Sequence, residues 1–224
     1  MANPSDFLSM ADNTQLLLRG ALFTLELTTI GALLGVGTGV IGALIRARNI
    51  RPLAAMVGVY VELIRNTPFL MQLLCIFYGL PAIGVSISPW QAAALAMVIN
   101  LGAHSTHVIG DTLQVMPRYE ALRHGGLRHA LSNAWPALTH QIILVMLSSS
   151  VCSVIATQEL SFVANAIQSR NVRAFETYAL TALMYLCMAL MIRQLLSWIA
   201  QRLFAEEETP PYGSETIEPL HRHD

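Results

Sequence analysis

Five long apolar stretches constrain how this chain can fold more than any other feature. A helix needs about 20 mostly apolar residues to cross the hydrocarbon core of a bilayer, and the five stretches approach or exceed that length. The second and fifth are short, so we expect their ends to rely on tilt or on interfacial residues. The sequence therefore predicts an all-α integral membrane protein with five transmembrane helices. The stretches cover residues 20–45, 69–84, 90–109, 137–156 and 177–192.

Composition excludes several other classes of protein. Hydrophobic residues make up 54% of the 224 residues and charged residues only 12%, whereas soluble domains carry about 25% charged residues. The net charge of −1 leaves no basic surface for a nucleic acid. All 13 basic residues are arginine, and both a P-loop and a Schiff-base enzyme need a lysine. We therefore expect no nucleic-acid partner, no P-loop nucleotide site and no enzyme.

The sequence gives little support for a metal or a cofactor in this chain. Its three cysteines lie far apart in apolar runs, which indicates neither a disulfide framework nor a thiolate zinc site. His104 and His107 stand three residues apart near the end of the third stretch, but a metal or haem site needs further ligands. We expect no metal and no cofactor, and keep a membrane enzyme or haem protein using this pair as a minor alternative.

Arginine placement predicts the orientation in the membrane, because cytoplasmic loops carry an excess of arginine. Most of the arginines lie after the first stretch, between the third and the fourth, or at the end of the fifth. With five spans, this asymmetry predicts an N-terminus outside and a C-terminus in the cytoplasm. The cytoplasmic set is Arg46, Arg48, Arg51, Arg118, Arg123, Arg128, Arg193 and Arg202, and the outer set is Arg19, Arg170 and Arg173.

The two ends of the chain differ from its middle. Residues 1–16 are predicted to form an external N-terminal segment, and residues 17–204 the transmembrane domain. Residues 205–224 are polar and acidic, and such a composition buries too little apolar surface to fold alone. We therefore expect a disordered cytoplasmic tail there.

A break is predicted between the first and second spans. Residues 53–64 read as a short helix along the cytoplasmic surface, followed by Arg65, Asn66, Thr67 and Pro68. Thr67 suits an N-cap and Pro68 the first helical position, and the residue before a proline is disfavoured in a helix. Arg65 then anchors a helix start by reaching the interface. In the other interpretation, this segment lines a transport path and Gln72, about one turn further on, faces a polar cavity.

Serines near the end of the fourth stretch also allow two interpretations. Ser149 and Ser153 stand four residues apart, which places them on one face of an α-helix. Small hydroxyl residues at this spacing favour close helix packing. They are also suited to line a path for a hydrophilic solute, and the two interpretations are compatible.

The loop between the third and fourth spans predicts a short amphipathic cytoplasmic helix. Glu120 favours the N-terminus of a helix through the helix dipole. Gly126 suits the left-handed position that follows a helix. By itself, this pattern indicates a helix and a turn and no particular function.

These segments together resemble a known family. Glu120-Ala121-Leu122, with Gly126 four residues later, is similar to the E-A-A-x3-G loop of ABC importer permeases. The run at residues 60–73, with its Arg65-x-Thr67-Pro68 core, resembles the second span of the polar amino-acid uptake subfamily. Residues 77–81, 138–141, 153–160 and 175–178 are similar to further segments of that subfamily, in the same order.

The resemblance implies the fold and the function. The fold is that of a type I (MetI-like) ABC importer permease, with a cytoplasmic coupling helix between spans three and four. Two permease chains, the same or homologous, form the pathway in a bacterial inner membrane and contact its lipid. An ABC ATPase subunit binds the ATP, and a periplasmic or extracellular solute-binding protein delivers a polar amino acid. Glu120, Ala121 and Gly126 would couple the chain to the ATPase.

The chain departs from the family pattern in its inner loop. Gly126 is followed by Pro136 after a shorter stretch than is usual in the family, and Gly110 stands where family members commonly have an arginine. These departures keep a second hypothesis open. In it, the chain is a divergent, transport-impaired paralogue that acts as a membrane scaffold or a regulatory subunit.

Overall fold

Helices make up most of the part of the chain that the computed structural model describes. The structure describes residues 4–48, 50–115, 126–171 and 174–204. Seven α-helices and one 3-10 helix follow one another in this part of the chain. They are α1 (Pro4–Arg48), α2 (Arg51–Arg65), α3 (Phe69–Ala82), α4 (Pro89–Val115), α5 (Gly126–Ser148), the 3-10 helix η1 (Ser149–Ile155), α6 (Leu160–Asn171) and α7 (Ala174–Phe204).

Four of these segments are long and apolar enough to cross a membrane. They lie in α1, in α4, in α5 together with η1, and in α7. The predicted second span differs from this description, because α3 has only 14 residues, which is about 21 Å of helix. It joins α2 at a bend of 109°. The second predicted crossing therefore corresponds to a bent helix pair and not to one straight helix.

The predicted boundaries differ from the structure at most of the spans. Helix α5 begins at Gly126 and α7 ends at Phe204, against predicted limits at residues 137 and 192. Helix α1 begins at Pro4, well before the predicted start at residue 20. The prediction used apolar residues only, and the first turns of this helix are more polar than the rest. Helix α6 was not predicted at all. It has only 12 residues, which is too short for a span, and its sequence contains too many polar residues to register as an apolar stretch.

Helix α4 lies at the centre of the packing. It contacts α1, α2, α3 and α5. In its most apolar stretch 67% of the residues are buried, against 11% in the corresponding stretch of α7. Its tightest neighbour is α1, which presents Gly31, Gly35, Gly39 and Gly42 along one face. A Cβ atom added at Gly39 would come within 2.3 Å of the Ser105 Cβ. Small residues at such spacing let two membrane helices approach closely.

The turn after η1 places a non-glycine residue in the left-handed region. Ala156 has φ 61° and ψ 28°, a conformation that costs an L-residue about 1 kcal/mol relative to glycine. We expect Ala156→Gly to raise the midpoint of thermal unfolding in detergent. Ala55→Gly is the control, because Ala55 is exposed inside α2 and glycine in a helix interior costs about 1 kcal/mol. A lower midpoint for Ala156→Gly would contradict the strain argument.

Candidate functional site

The bend between α2 and α3 carries most of the predicted path residues. Helix α2 ends at Arg65 and α3 begins at Phe69, because Pro68 has no N–H and disfavours helical backbone at Thr67. The predicted N-cap was wrong by one residue: Pro68 itself occupies the cap, with ψ 139°. The Thr67 hydroxyl instead donates to the Leu63 carbonyl at 2.9 Å and so closes the end of α2.

Gln72 holds the inside of this bend. Its Nε2 lies 2.7 Å from the Ile64 carbonyl oxygen and 2.9 Å from that of Thr67, and 3.0 Å from the Thr67 hydroxyl. Its Oε1 accepts a hydrogen bond of 3.0 Å from Asn100 Nδ2 on α4. Both amide side chains are buried, with 8% and 9% exposure. The carbonyl groups that lose their helical partners at the bend thus accept hydrogen bonds from a side chain, as the interior of a membrane requires.

A second contact attaches α2 to the same region of α4. The Tyr60 hydroxyl donates to the Ile99 carbonyl at 2.6 Å. Gly102 makes room for this contact, because a Cβ there would lie 2.9 Å from the Tyr60 hydroxyl oxygen. Each arm of the bend is therefore attached to one of two successive residues of α4.

The tip of the bend is exposed, whereas its base is buried. Arg65, Thr67 and Pro68 are exposed and Gln72 is buried beneath them. Asn66 at the tip donates to the Glu62 carbonyl at 2.7 Å. The structure thus places four of the predicted path residues at one bend between two helices.

Ser149 and Ser153 belong to a different element and do not share a face. They lie in the 3-10 helix η1, which has about three residues per turn, so four positions separate them by about 120°. The Ser149 hydroxyl is buried and donates to the Met146 carbonyl at 2.6 Å. The Ser153 hydroxyl donates to the Ser150 carbonyl at 2.8 Å. The prediction of one shared face was wrong because it assumed an α-helix.

A buried carboxylate caps α6, a role that the sequence reading missed. Glu159 is 0% exposed and accepts the Ser161 N–H at 2.8 Å and the Phe162 N–H at 2.7 Å. The Leu160 N–H donates to the Thr24 hydroxyl of α1 at 3.2 Å. The first three N–H groups of the helix therefore all have partners, as a buried helix N-terminus requires.

Tyr185 connects this cap to α7. Its hydroxyl donates to Glu159 Oε2 at 2.7 Å and lies 2.9 Å from the Ser161 hydroxyl. Burial raises the pKa of the Glu159 carboxyl above its ordinary value, while the hydrogen bonds from Tyr185, Ser161 and Phe162 oppose that rise. Glu159 lies outside the candidate span formed by α5 and η1, which ends at Ile155. An acidic residue is favoured at a helix N-terminus by the helix dipole, but because the sequence did not predict α6, its cap was missed as well.

The two histidines of α4 do not form a metal centre with other described residues. His107 Nδ1 lies 3.0 Å from Asp111 Oδ2, one turn further along the helix. No group of three or more potential metal ligands occurs in the part of the chain that the structure describes. The geometry therefore gives the His104–His107 alternative no support.

The predicted coupling loop is described only at its end. Gly126 is buried and is the first residue of α5, whereas Glu120 and Ala121 lie outside the described residues. Just beyond Gly126, Arg128 donates to the Leu203 carbonyl of α7 at 2.8 Å. Trp135 donates from its indole nitrogen to the Leu196 carbonyl at 2.9 Å. The start of α5 therefore lies beside the end of α7.

Comparisons with known proteins identify the family. No family model matches the chain. The chain is 32% identical to the L-cystine transport system permease protein TcyB of Bacillus subtilis over 165 residues, which are 68% of this chain and 70% of that protein. It is 28% identical to the glutamine transport system permease protein GlnP of Escherichia coli over 203 residues, which are 84% and 93% of the two chains.

A solved structure supports the same assignment and confirms the predicted fold class. An amino acid ABC transporter solved with histidines contains a chain that is 33% identical to this one, with a TM-score of 0.76. The match covers 90% of this chain and 100% of the solved chain. The all-helical membrane fold and the relatives agree: this chain belongs to the family of amino-acid ABC importer permeases, the membrane components of ATP-driven transporters.

Proposed function

We propose that this chain forms the translocation pathway of a polar amino-acid importer in a bacterial inner membrane, together with a second permease chain of the same or a homologous sequence. The observation that carries the proposal is the match to the amino acid transporter over 90% of the chain. The names of the cystine and glutamine relatives favour a polar amino acid as the solute. A periplasmic or extracellular solute-binding protein delivers it. The comparisons give no support to a divergent scaffold.

A separate ABC ATPase supplies the energy in this proposal. The chain has no lysine, so it has no P-loop that could hold the phosphates of ATP. In this proposal the permease itself catalyses no reaction and carries no cofactor, and ATP is bound by the partner subunit. Membrane lipid surrounds the assembly.

We assign the exposed tip of the bend to the translocation path. Ionisable residues within apolar membrane segments face a cavity or a partner, and Arg65 is exposed where two apolar helices meet. Thr67 and Pro68 lie beside it, and Gln72 supports them from beneath. Ser153, which is partly exposed, contributes from η1, which packs against α3. The buried Ser149 supports it through its hydrogen bond to the Met146 carbonyl of α5.

We place the N-terminus outside and the C-terminus in the cytoplasm. Arginine placement favours this orientation. The contact between Arg128 and the Leu203 carbonyl supports it, because both arginine-rich regions then lie on one side of the membrane. The ATPase meets the chain on that side.

The loop with Glu120, Ala121 and Gly126 transmits the motion of the ATPase. It connects the end of α4 to the start of α5, and these two helices pack against each other. A displacement of the loop would therefore move α4, the helix that holds the bend. Coupling of this kind requires contacts that differ between two states of the transporter.

Gly126→Asp is expected to abolish ATP-dependent uptake and to weaken co-purification of the ATPase, because a charged side chain would enter a buried position at the start of α5. Glu120→Arg, a charge reversal at the other end of the loop, should impair uptake in the same way. Uptake and co-purification are measured in parallel, with the amount of permease in the membrane.

Asn133→Asp is the matched control for this pair, because Asn133 is exposed two turns further along α5. It should leave both uptake and co-purification unchanged. Normal uptake and normal ATPase binding in both loop variants would show that the coupling assignment is wrong.

A further inference from the structure

We propose that Asn100 is a positioning residue for transport: it orients the Gln72 amide, and through it holds the exposed tip of the bend in place. The inference rests on the proposed function, since it concerns the path segment that contains Arg65, Thr67 and Pro68. Asn100 itself is buried in α4 and donates to the buried Gln72 amide. Its effect on transport is therefore indirect and passes through Gln72.

Hydrogen-bond complementarity fixes which way the Gln72 amide points. An amide side chain has one end that donates and one end that accepts. The Gln72 nitrogen faces two carbonyl oxygens and a hydroxyl in the bend, at 2.7 to 3.0 Å. Its oxygen faces the nitrogen of Asn100, at 3.0 Å. A rotated amide would place oxygen against oxygen at the bend and nitrogen against nitrogen at α4.

Burial makes this arrangement costly to break. Asn100 and Gln72 are 9% and 8% exposed, so water gives little compensation for a lost partner. A buried polar group that loses its hydrogen bond is destabilised by the full cost of its desolvation. The donor at position 100 therefore biases the amide toward the orientation that serves the bend.

The position of Asn100 also connects the bend to the rest of α4. The preceding residue, Ile99, accepts the Tyr60 hydroxyl at 2.6 Å, so adjacent residues of α4 hold the two arms of the bend. Helix α4 continues without interruption to Val115, next to the predicted coupling loop. The part of α4 from Asn100 to Val115 is about 22 Å long. A shift of α4 would thus carry both attachment points of the bend together.

The test uses Asn100→Asp and Asn100→Leu in the assembled transporter, with uptake of labelled glutamine and cystine followed from alkaline to mildly acidic pH. The aspartate removes the donor while ionised and restores one, the O–H of the carboxylic acid, when it is protonated. The leucine never donates. We expect both variants to transport about tenfold less than the parent at alkaline pH, given the cost of a lost buried hydrogen bond. Only the aspartate variant should recover toward the parent as the pH falls.

Asn165→Asp is the matched control. Asn165 accepts the Tyr178 hydroxyl at 2.8 Å through its side-chain oxygen, and an aspartate keeps that acceptor, so uptake should match the parent at every pH. Uptake by the parent transporter, measured over the same pH range, accounts for the titration of groups elsewhere in the complex.

Equal uptake by the aspartate and leucine variants at every pH would overturn the inference, and so would parental uptake by the leucine variant. Neither result would affect the proposed function. A parent complex that transports no amino acid, with all subunits present, would instead remove the proposed function and this inference with it.

Discussion

Replacing Glu159 by alanine is expected to lower the free energy of unfolding by about 3 kcal/mol, because each buried group left without a hydrogen bond costs about 1–3 kcal/mol. The substitution removes the acceptor for the Ser161 and Phe162 N–H groups and for the Tyr185 hydroxyl. The carboxylate itself is 0% exposed, whereas the three donors are partly buried. The Tyr185 hydroxyl also keeps the Ser161 hydroxyl as a partner at 2.9 Å, so the expected cost is near the lower limit for each group. Thermal or denaturant unfolding in detergent measures the change.

The matched control for this prediction is Glu176→Ala. Glu176 also lies in the first turn of a helix, α7, but it is exposed. An exposed carboxylate at a helix N-terminus contributes only about 0.3–1 kcal/mol through the helix dipole. Equal losses for the two alanine variants would contradict the assignment of Glu159 as the buried cap that connects α6 to α7.

Gly39→Ala is expected to destabilise the protein by about 2–3 kcal/mol, the upper part of the range for overpacking a well-packed contact. Its Cβ would lie 2.3 Å from the Ser105 Cβ and 3.1 Å from the Ser105 carbonyl carbon, whereas carbon atoms in contact lie about 3.5–4.0 Å apart. Helices α1 and α4 must separate to relieve this clash. A lower unfolding midpoint and a lower yield of folded protein in detergent are the readouts.

Gly37→Ala provides the matched control two residues away. A Cβ at Gly37 meets nothing within 4 Å, so this variant should unfold at or above the midpoint of the parent, since alanine favours helix. Adding Ser105→Gly to Gly39→Ala should restore part of the loss, because it removes the nearest clashing atom. A Gly39→Ala variant as stable as the Gly37→Ala variant would show that the α1–α4 contact is looser than described.

Local signals in the sequence predicted the parts of the fold that depend on local chemistry. The apolar stretches identified α4, α5 and α7 as spans because burial in lipid requires long apolar runs. Pro68 predicted a break between two helices because its effect on the preceding residue is local. The angle of 109° at that break could not be predicted, because it depends on how α2 and α3 pack against α4.

Contacts between distant residues were the ones that the sequence could not reveal. Asn100 and Gln72 stand 28 residues apart, and Thr24 and Leu160 stand 136 residues apart. Nothing in either local sequence indicates its partner. One of the two interpretations of this segment placed Gln72 facing a polar cavity, whereas its amide nitrogen bonds to the bend and its oxygen to Asn100 of α4. The roles of Glu120 and Ala121 stay predictions, since these residues lie outside the described part of the chain.

Transport itself tests the account most directly. The chain would be reconstituted in proteoliposomes with its ABC ATPase, and its solute-binding protein and labelled polar amino acids would be added outside. We predict that at least one amino acid, with glutamine and cystine tested first, accumulates only when ATP is enclosed and the ATPase is present. Accumulation that continues without ATP, or none for any amino acid in the complete system, would contradict the account.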